Sequence, residues 1–284
     1  MLPARDIIRI AALGDLHHGR SATQGSLQPL FSQITESADI LVLTGDLTDY
    51  GLPEEARALA REITSTLKIP AVTVLGNHDF ESGEQQEISR ILTDAGVVTL
   101  DGDTTEIHGI GFAGVKGFCG GFGRRALGPW GEDIIKRFVH EAVDEALKLE
   151  SALARLRTKR IIALLHYSPI QETVEGEPPD IYPFLGCSRL EEPLSRYPVT
   201  AVFHGHAHHG RAEGRTAKNV PVFNVSASLM RELSPDRPFR VIEVTMTDFP
   251  DEWPRRGGPD RLDEPSTRSG ATLSRDEHAA MEHS

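Results

Sequence analysis

Five short apolar runs in this chain each end within a few residues of a side chain that can bind a metal ion, which restricts the fold more than any other feature. IIRIAAL (7–13) leads into Gly-Asp-Leu-His, with Asp15 and His17, and ILVLT (40–44) into Gly-Asp-Leu-Thr-Asp, with Asp46 and Asp49. AVTVL (71–75) leads into Gly-Asn-His-Asp, with Asn77, His78 and Asp79. IIALL (161–165) runs directly into His166, and TAVF (200–203) into a cluster containing His204, His206, His208 and His209. The β-branched content of these runs marks them as strands, and 109–115, 220–226 and 239–245 read the same way. Between them apolar residues fall at helical spacing: Leu27, Leu30, Phe31 and Ile34; Ala56, Leu59, Ala60, Ile63 and Leu67 behind Pro53; Ile88, Ile91, Leu92 and Ala95; and a stripe from Ile135 to Ala146 in a helix expected over 132–156. Strand and helix patterns that alternate in this way predict an α/β fold.

In an open α/β sheet ligands bind beyond the carboxyl ends of the strands. Five ligand-bearing turns at strand ends are therefore expected to converge. Asp15 and Asp46 in one buried crevice would repel each other, at a desolvation cost of roughly several kcal/mol unless a cation neutralises them. The set predicts a polynuclear metal centre in which His204 and His206, one glycine apart, face two adjacent ions. Carboxylate, imidazole and amide-oxygen donors without cysteine suit Mn, Fe, Zn or Co better than Ca or Mg. Taken singly the pieces say little, because Gly-Asp after a strand is an ordinary turn. His18, His208 and His209 are read as flanking groups rather than ligands.

Charge and composition narrow the function. A net charge of −12 over 284 residues argues against a long nucleic acid gripped along its phosphates, which needs a basic face. The basic cluster at 155–160 is read as cations at the negative end of the long helix. No apolar run approaches the roughly 18 residues of a membrane span, and the chain enters a strand pattern at once, without a secretory signal pattern. Its two cysteines, Cys119 and Cys187, suit a reducing compartment, so the cytoplasm is the expected location. Residues 1–249 are expected to form one domain. The segment 250–284, with Trp253 as its only aromatic and no Val, Ile or Phe, is expected to be a disordered tail. A glycine-rich segment (114–133) and a proline- and acid-rich one (168–188) are expected to be long loops that shape a binding site.

The ordered series Asp-Leu-His, Gly-Asp-Leu-Thr-Asp, Gly-Asn-His-Asp, strand-end His and Gly-His-Ala-His resembles the calcineurin-like metallophosphoesterase superfamily, nearest its bacterial phosphodiesterase branch. The resemblance implies a four-layer αββα sandwich, two mixed β-sheets flanked by helices. It implies two divalent or mixed-valence metal ions, one held by Asp15, His17 and His206 and the other by Asn77, His166 and His204, with Asp46 bridging them. The implied reaction is hydrolysis of a small-molecule phosphodiester or phosphomonoester by a hydroxide shared between the ions. His78 then assists the leaving group as a proton donor, and Asp79 orients its ring. Two other readings remain: a nuclease of the same superfamily, whose DNA binding should be salt-sensitive, and a non-catalytic scaffold of this fold, against which the full ligand set counts.

Overall fold

Strands that are apolar at every position must be covered on both faces, and the computed structural model, which describes residues 6–19 and 25–247, shows how. Strands β1 (Ile7–Leu13), β2 (Ile40–Thr44), β3 (Ala71–Val74) and β4 (Val97–Thr99) run parallel, and β11 (Arg240–Thr245) closes that sheet antiparallel to β1, in the order β11-β1-β2-β3-β4. The second sheet has the order β5-β6-β7-β8-β10-β9. Here β6 (Ile110–Gly114), β7 (Arg160–Leu164), β8 (Ala201–His204) and β10 (Pro221–Asn224) are parallel, while β5 (Thr104–Ile107) and β9 (Glu213–Arg215) are antiparallel edges.

The alternation of side chains along each strand sorts the core into layers. Ile8, Ile10 and Ala12 of β1, Ile40 and Val42 of β2, and Phe112, Ile162, Leu164 and Phe203 of the second sheet fill the space between the sheets. The other face of the first sheet, with Leu13, Leu41 and Leu43, packs on α1 (Gln28–Ser37), α2 (Pro53–Thr66) and α3 (Gln85–Asp94) through Phe31, Ile34, Leu59, Ile63, Ile88 and Leu92. The outer face of the second sheet, with Ala163 and Val202, packs on Leu149, Ala152 and Leu153 of the long helix α4 (Asp133–Arg155). The result is the αββα order of layers with two mixed sheets.

The eight expected strands occur with ends shifted by no more than a few residues, and the four expected helices are α1 to α4. Pro53 stands at the start of α2, where its missing N–H costs nothing. In the basic cluster, Arg157 Nη1 donates to the Ala154 carbonyl in the last turn of α4. Three short strands, β4, β5 and β9, and three short helices, α5 (Tyr182–Leu185), α6 (Glu191–Arg196) and α7 (Ala227–Leu233), were not expected. The segment 168–188, expected to be a loop, thus holds a helical turn, and the loop at 114–133 is tied to it: Gly120 N donates to Pro183 O at 2.7 Å and Gly121 N to Gly186 O at 2.9 Å. Residues 250–284, the expected disordered tail, lie outside the described residues.

Phe112 is fully buried between the two sheets. Phe112→Ala is expected to cost about 3–5 kcal/mol of unfolding free energy, measured by urea denaturation; a loss below about 1 kcal/mol would contradict this packing.

Candidate metal centre

The carboxyl ends of the parallel strands of both sheets meet at one edge of the sandwich, and backbone hydrogen bonds join them there. Gly14 N donates to Val225 O at 2.9 Å, Ala227 N to Gly14 O at 3.0 Å, and Gly205 N to His166 O at 3.2 Å. Beyond β1 and β2 the two turns stay paired: Asp15 N, His17 N and His18 N donate to the carbonyls of Gly45, Asp46 and Leu47 at 2.9, 3.0 and 3.0 Å. This pairing aims Asp15, His17 and Asp46 into the same space. It is held in an unfavourable backbone geometry, since Asp15, His17, Asp46 and His206 have φ of 54°, 44°, 48° and 68°. Non-glycine residues in that region cost of order 1–3 kcal/mol each and persist where the surroundings over-determine them. Gly45, at φ 87°, lets the strand ends close up, because a Cβ there would lie 2.6 Å from Gly76 N and 2.8 Å from the His166 ring.

Three groups of side chains bring candidate ligand atoms within 4.8 Å of one another: Asp15, His17 and His208; Asp46, His166 and His206; and His17, Asp49 and His78. Asn77 joins the second group, its Oδ1 standing 2.8 Å from His166 Nε2. The hydrogen bonds around the ring fix what that contact means. His166 Nδ1 lies 2.8 Å from the Thr44 carbonyl and so carries the proton. Burial drives the pKa of His166 well below that of a free imidazole, so Nε2 is a bare lone pair. It faces Asn77 Oδ1 and, at 3.4 Å, Asp46 Oδ1. His166 Nε2 and Asn77 Oδ1 thus face each other as acceptors beside a carboxyl that burial makes reluctant to ionise, and a cation in the space they surround satisfies all three.

The other rings follow the same logic. His206 Nε2 lies 3.2 Å from the Phe184 carbonyl, which leaves Nδ1 free, and burial first, then His166, lowers its pKa to about 3. His17 Nε2 is buried without a hydrogen-bond partner, 3.9 Å from Asp46 Oδ2. Desolvation also lowers the pKa of His17, so this ring is neutral too. His208 Nε2 reaches Asp15 Oδ1 at 3.1 Å, and that bond raises its pKa. Asp46, 1% exposed, has its carboxyl pushed up to about 9, by burial first and then by Asp15 and Asp79. The neutral rings of His17, His166 and His206, an amide oxygen and a buried carboxyl that resists ionising are the donor set of a cation site.

Six of the expected ligands, Asp15, His17, Asp46, Asn77, His166 and His206, are brought together; His204 is not. Its Nδ1 stands 2.8 Å from the Gly205 carbonyl and its Nε2 2.8 Å from Thr173 Oγ1. Both ring nitrogens are thereby engaged within the protein, away from the three groups. The reason lies in the strand period: His204 is the last residue of β8 and shares the face of Val202, which looks toward the helix layer, whereas His206 and His208 lie past the strand end. The Gly205-His206-Ala207-His208 register, with its two histidines past the strand end, is the sequence feature that points to His208. His206 correspondingly groups with Asp46 and His166 rather than with Asp15 and His17.

Asp79 also differs from expectation. Its fully buried carboxylate accepts from Leu47 N, Thr48 N, Thr48 Oγ1 and Gly76 N at 3.1, 2.9, 2.6 and 2.9 Å, so it ties the Asp46 and Asn77 turns together and does not touch the His78 ring. That ring is instead set by the Asp49 carbonyl, 2.6 Å from His78 Nδ1, while His78 N donates to Asp46 Oδ1 at 2.8 Å. Asp49 Oδ1 lies 3.7 Å from His17 Nδ1. His18 turns away to buried Glu62, at 3.7 Å, and His209 is exposed. Arg124 and Arg125 are exposed on a turn of the glycine-rich loop.

The family model for calcineurin-like phosphoesterases matches residues 8–210, and the chain belongs to that family. A probable glycerophosphodiester phosphodiesterase of Arcobacter nitrofigilis is 26% identical over 175 residues, 60% of this chain; the match spans only 56% of that protein. The crystal structure of a phosphopantetheinyl hydrolase of Mycobacterium tuberculosis superposes with a TM-score of 0.59 at 16% identity, covering 82% of this chain and 95% of the other. That likeness confirms the layered fold.

In the metal-free protein a carboxyl raised to about 9 holds its proton at neutral pH, and a cation binding there must displace it. Cation affinity should therefore rise with pH up to about 9 and then level off. Manganese titration of metal-stripped protein at pH 7, by calorimetry in buffers of different ionisation enthalpy, should show release of about one proton or more per chain, vanishing above about pH 10. No proton release at pH 7 would contradict the protonated state of Asp46.

Proposed function

We propose that this protein is a binuclear metal-dependent phosphodiesterase acting on a small phosphoester. The observation that carries the reading is the convergence of the His166 lone pair, Asn77 Oδ1 and Asp46 Oδ1 within 2.8–3.4 Å, beside a second group formed by Asp15, His17 and His208. Asp15, His17 and His208 would hold one ion, Asn77, His166 and His206 the other, and Asp46 both. Bound there, the ions would supply Lewis acidity and an activated water for attack on phosphorus. Manganese, iron, zinc and cobalt all suit these donors.

The chain's own residues do the rest. His166 and His206 are held in one tautomer by the carbonyls of Thr44 and Phe184, so their orientation is set before any ligand arrives. His78 is about a third exposed on the rim, its ring stacked edge-on to His17 at 4.6 Å. From there it would give a proton to the departing alkoxide, and the Asp49 carbonyl on Nδ1 would leave Nε2 to face the substrate. The preference for a diester is supported by the identity to the Arcobacter glycerophosphodiesterase. No helix among the described residues is long and apolar enough to cross a membrane, and two free, buried cysteines fit a cytoplasmic protein.

Two measurements test this. Manganese-reconstituted protein should hydrolyse bis(p-nitrophenyl) phosphate faster than p-nitrophenyl phosphate, stripped protein should be inert, and His78→Ala should lower kcat by about 10²- to 10⁴-fold with both metals retained. Turnover of the monoester alone would replace the diesterase reading with a phosphatase. For the ligand assignment, His208→Ala should lose one metal per chain by elemental analysis, whereas His204→Ala should keep two and lose about 1–3 kcal/mol of stability. The opposite pattern would restore His204 as the ligand.

A further inference from the structure

A second cleft, of about 350 Å³, lies behind the turn that carries His78, walled by Phe80, Gln85, Ser89, Thr99, Asp101 and Lys116 among others. This is at the small end of the roughly 300–1,000 Å³ typical of small-molecule pockets. None of the candidate metal ligands lines it.

Lys116 is its unusual wall residue. The side chain is buried, at 9% exposure, yet its ammonium makes no ion pair among the described residues. Its Nζ donates to the Gly117 carbonyl at 2.8 Å and stands 5.0, 5.3 and 5.4 Å from the ring centres of Phe118, Phe80 and Tyr167. Nearby acids are committed elsewhere: Glu145 accepts from Gly117 N and from Lys148, and Asp101 is paired with Lys148 at 3.0 Å. Aromatic faces attract a cation, but they do not replace the anion that a buried charge ordinarily has.

The remaining walls add to the same demand. Gln85 and Gln86, the first two residues of the ten-residue helix α3, line the cleft. Gln85 Oε1 and Thr99 Oγ1 are buried and have no hydrogen-bond partner. Lys116 calls for an anionic oxygen; Gln85 calls for an O–H or N–H donor, and Thr99 accepts either. A hydroxyl- or amide-bearing carboxylate or phosphate satisfies all of them.

We propose that this cleft is a second ligand site, which takes a small anion bearing hydroxyl or amide groups and uses Lys116 as its counter-charge. The anion is either the far end of the substrate or a separate molecule. The walls of the cleft connect to the candidate metal centre, because Phe80 shares a turn with His78 and the Lys116 carbonyl accepts from His166 N and Tyr167 N at 3.0 and 3.1 Å. Tyr167 in turn packs on the His206 ring at 4.6 Å.

The test is calorimetric titration of the manganese-loaded full chain with glycerate, malate and citrate, repeated on Lys116→Met and on Ser89→Trp, which obstructs the cleft without touching the lysine. At least one acid should bind the wild type, and both variants should bind it tenfold or more weakly while retaining wild-type manganese content. If Lys116→Met does not fold, Ser89→Trp decides alone. No binding to the wild type, or equal binding to wild type and variants, overturns the proposal. The source of the anion is read from bis(p-nitrophenyl) phosphate kinetics with the bound acid added: a rise in KM alone shows that the acid competes with substrate and stands in for its far end, and a change in kcat identifies a separate effector. The proposed function underlies only this kinetic arm, so an enzyme without turnover would fail that function and leave the binding result to judge the cleft.

Discussion

His166 Nε2 and Asn77 Oδ1 face each other as acceptors beside the Asp46 carboxyl where the two sheets meet, and most of the surrounding structure serves to hold them there. His166 is the central case: one nitrogen is fixed by the Thr44 carbonyl, across the gap between the sheets, and the other is turned toward Asn77 and Asp46. A protein folded without regard to a cation would relieve such a contact by turning a side chain. Here His166 and Asp46 are not free to turn. His166 is fully buried, His78 N and the Gly76 backbone crowd the Asp46 carboxylate, and Asp79 clamps both turns.

The same constraint accounts for the backbone strain. Asp15, His17, Asp46 and His206 adopt left-handed conformations that their residue types disfavour, and each stands where a strand has just ended and the chain must turn while aiming a donor inward. Rigid parallel strands make this affordable, since layers of buried Ile, Leu, Val and Phe on both faces of each sheet fix the strand ends. Burial of such side chains contributes about 1.5–3 kcal/mol apiece, enough to offset local strain of order 1–3 kcal/mol.

Much of this was legible in the sequence. A strand buried on both faces is written as an unbroken apolar run, and a helix on its outer face as a 3.6-residue stripe, so β1, β2 and α1 to α4 were readable from their own residues. Edge strands such as β9, Glu213–Arg215, have no such pattern because one flank meets solvent. Six of the candidate ligands were readable because each follows a strand by one to four residues. His204 stands apart from the clustered residues because a histidine that ends a strand and one that lies two residues past it look alike in sequence, while the strand period sends the first toward Thr173. Asp79 and Lys116 were harder still: their roles depend on which backbone amides and which rings lie beside them, and those partners come from distant segments.

The central claim is that two cations occupy the meeting point of the sheets, with His208 rather than His204 among their ligands. Anomalous diffraction from crystals of the manganese-loaded protein, recorded at the manganese edge, tests it most directly. The account predicts two peaks joined by Asp46, one against Asp15, His17 and His208 and the other against Asn77, His166 and His206. A single peak, or a peak against the Nε2 of His204 with Thr173 displaced, would contradict it.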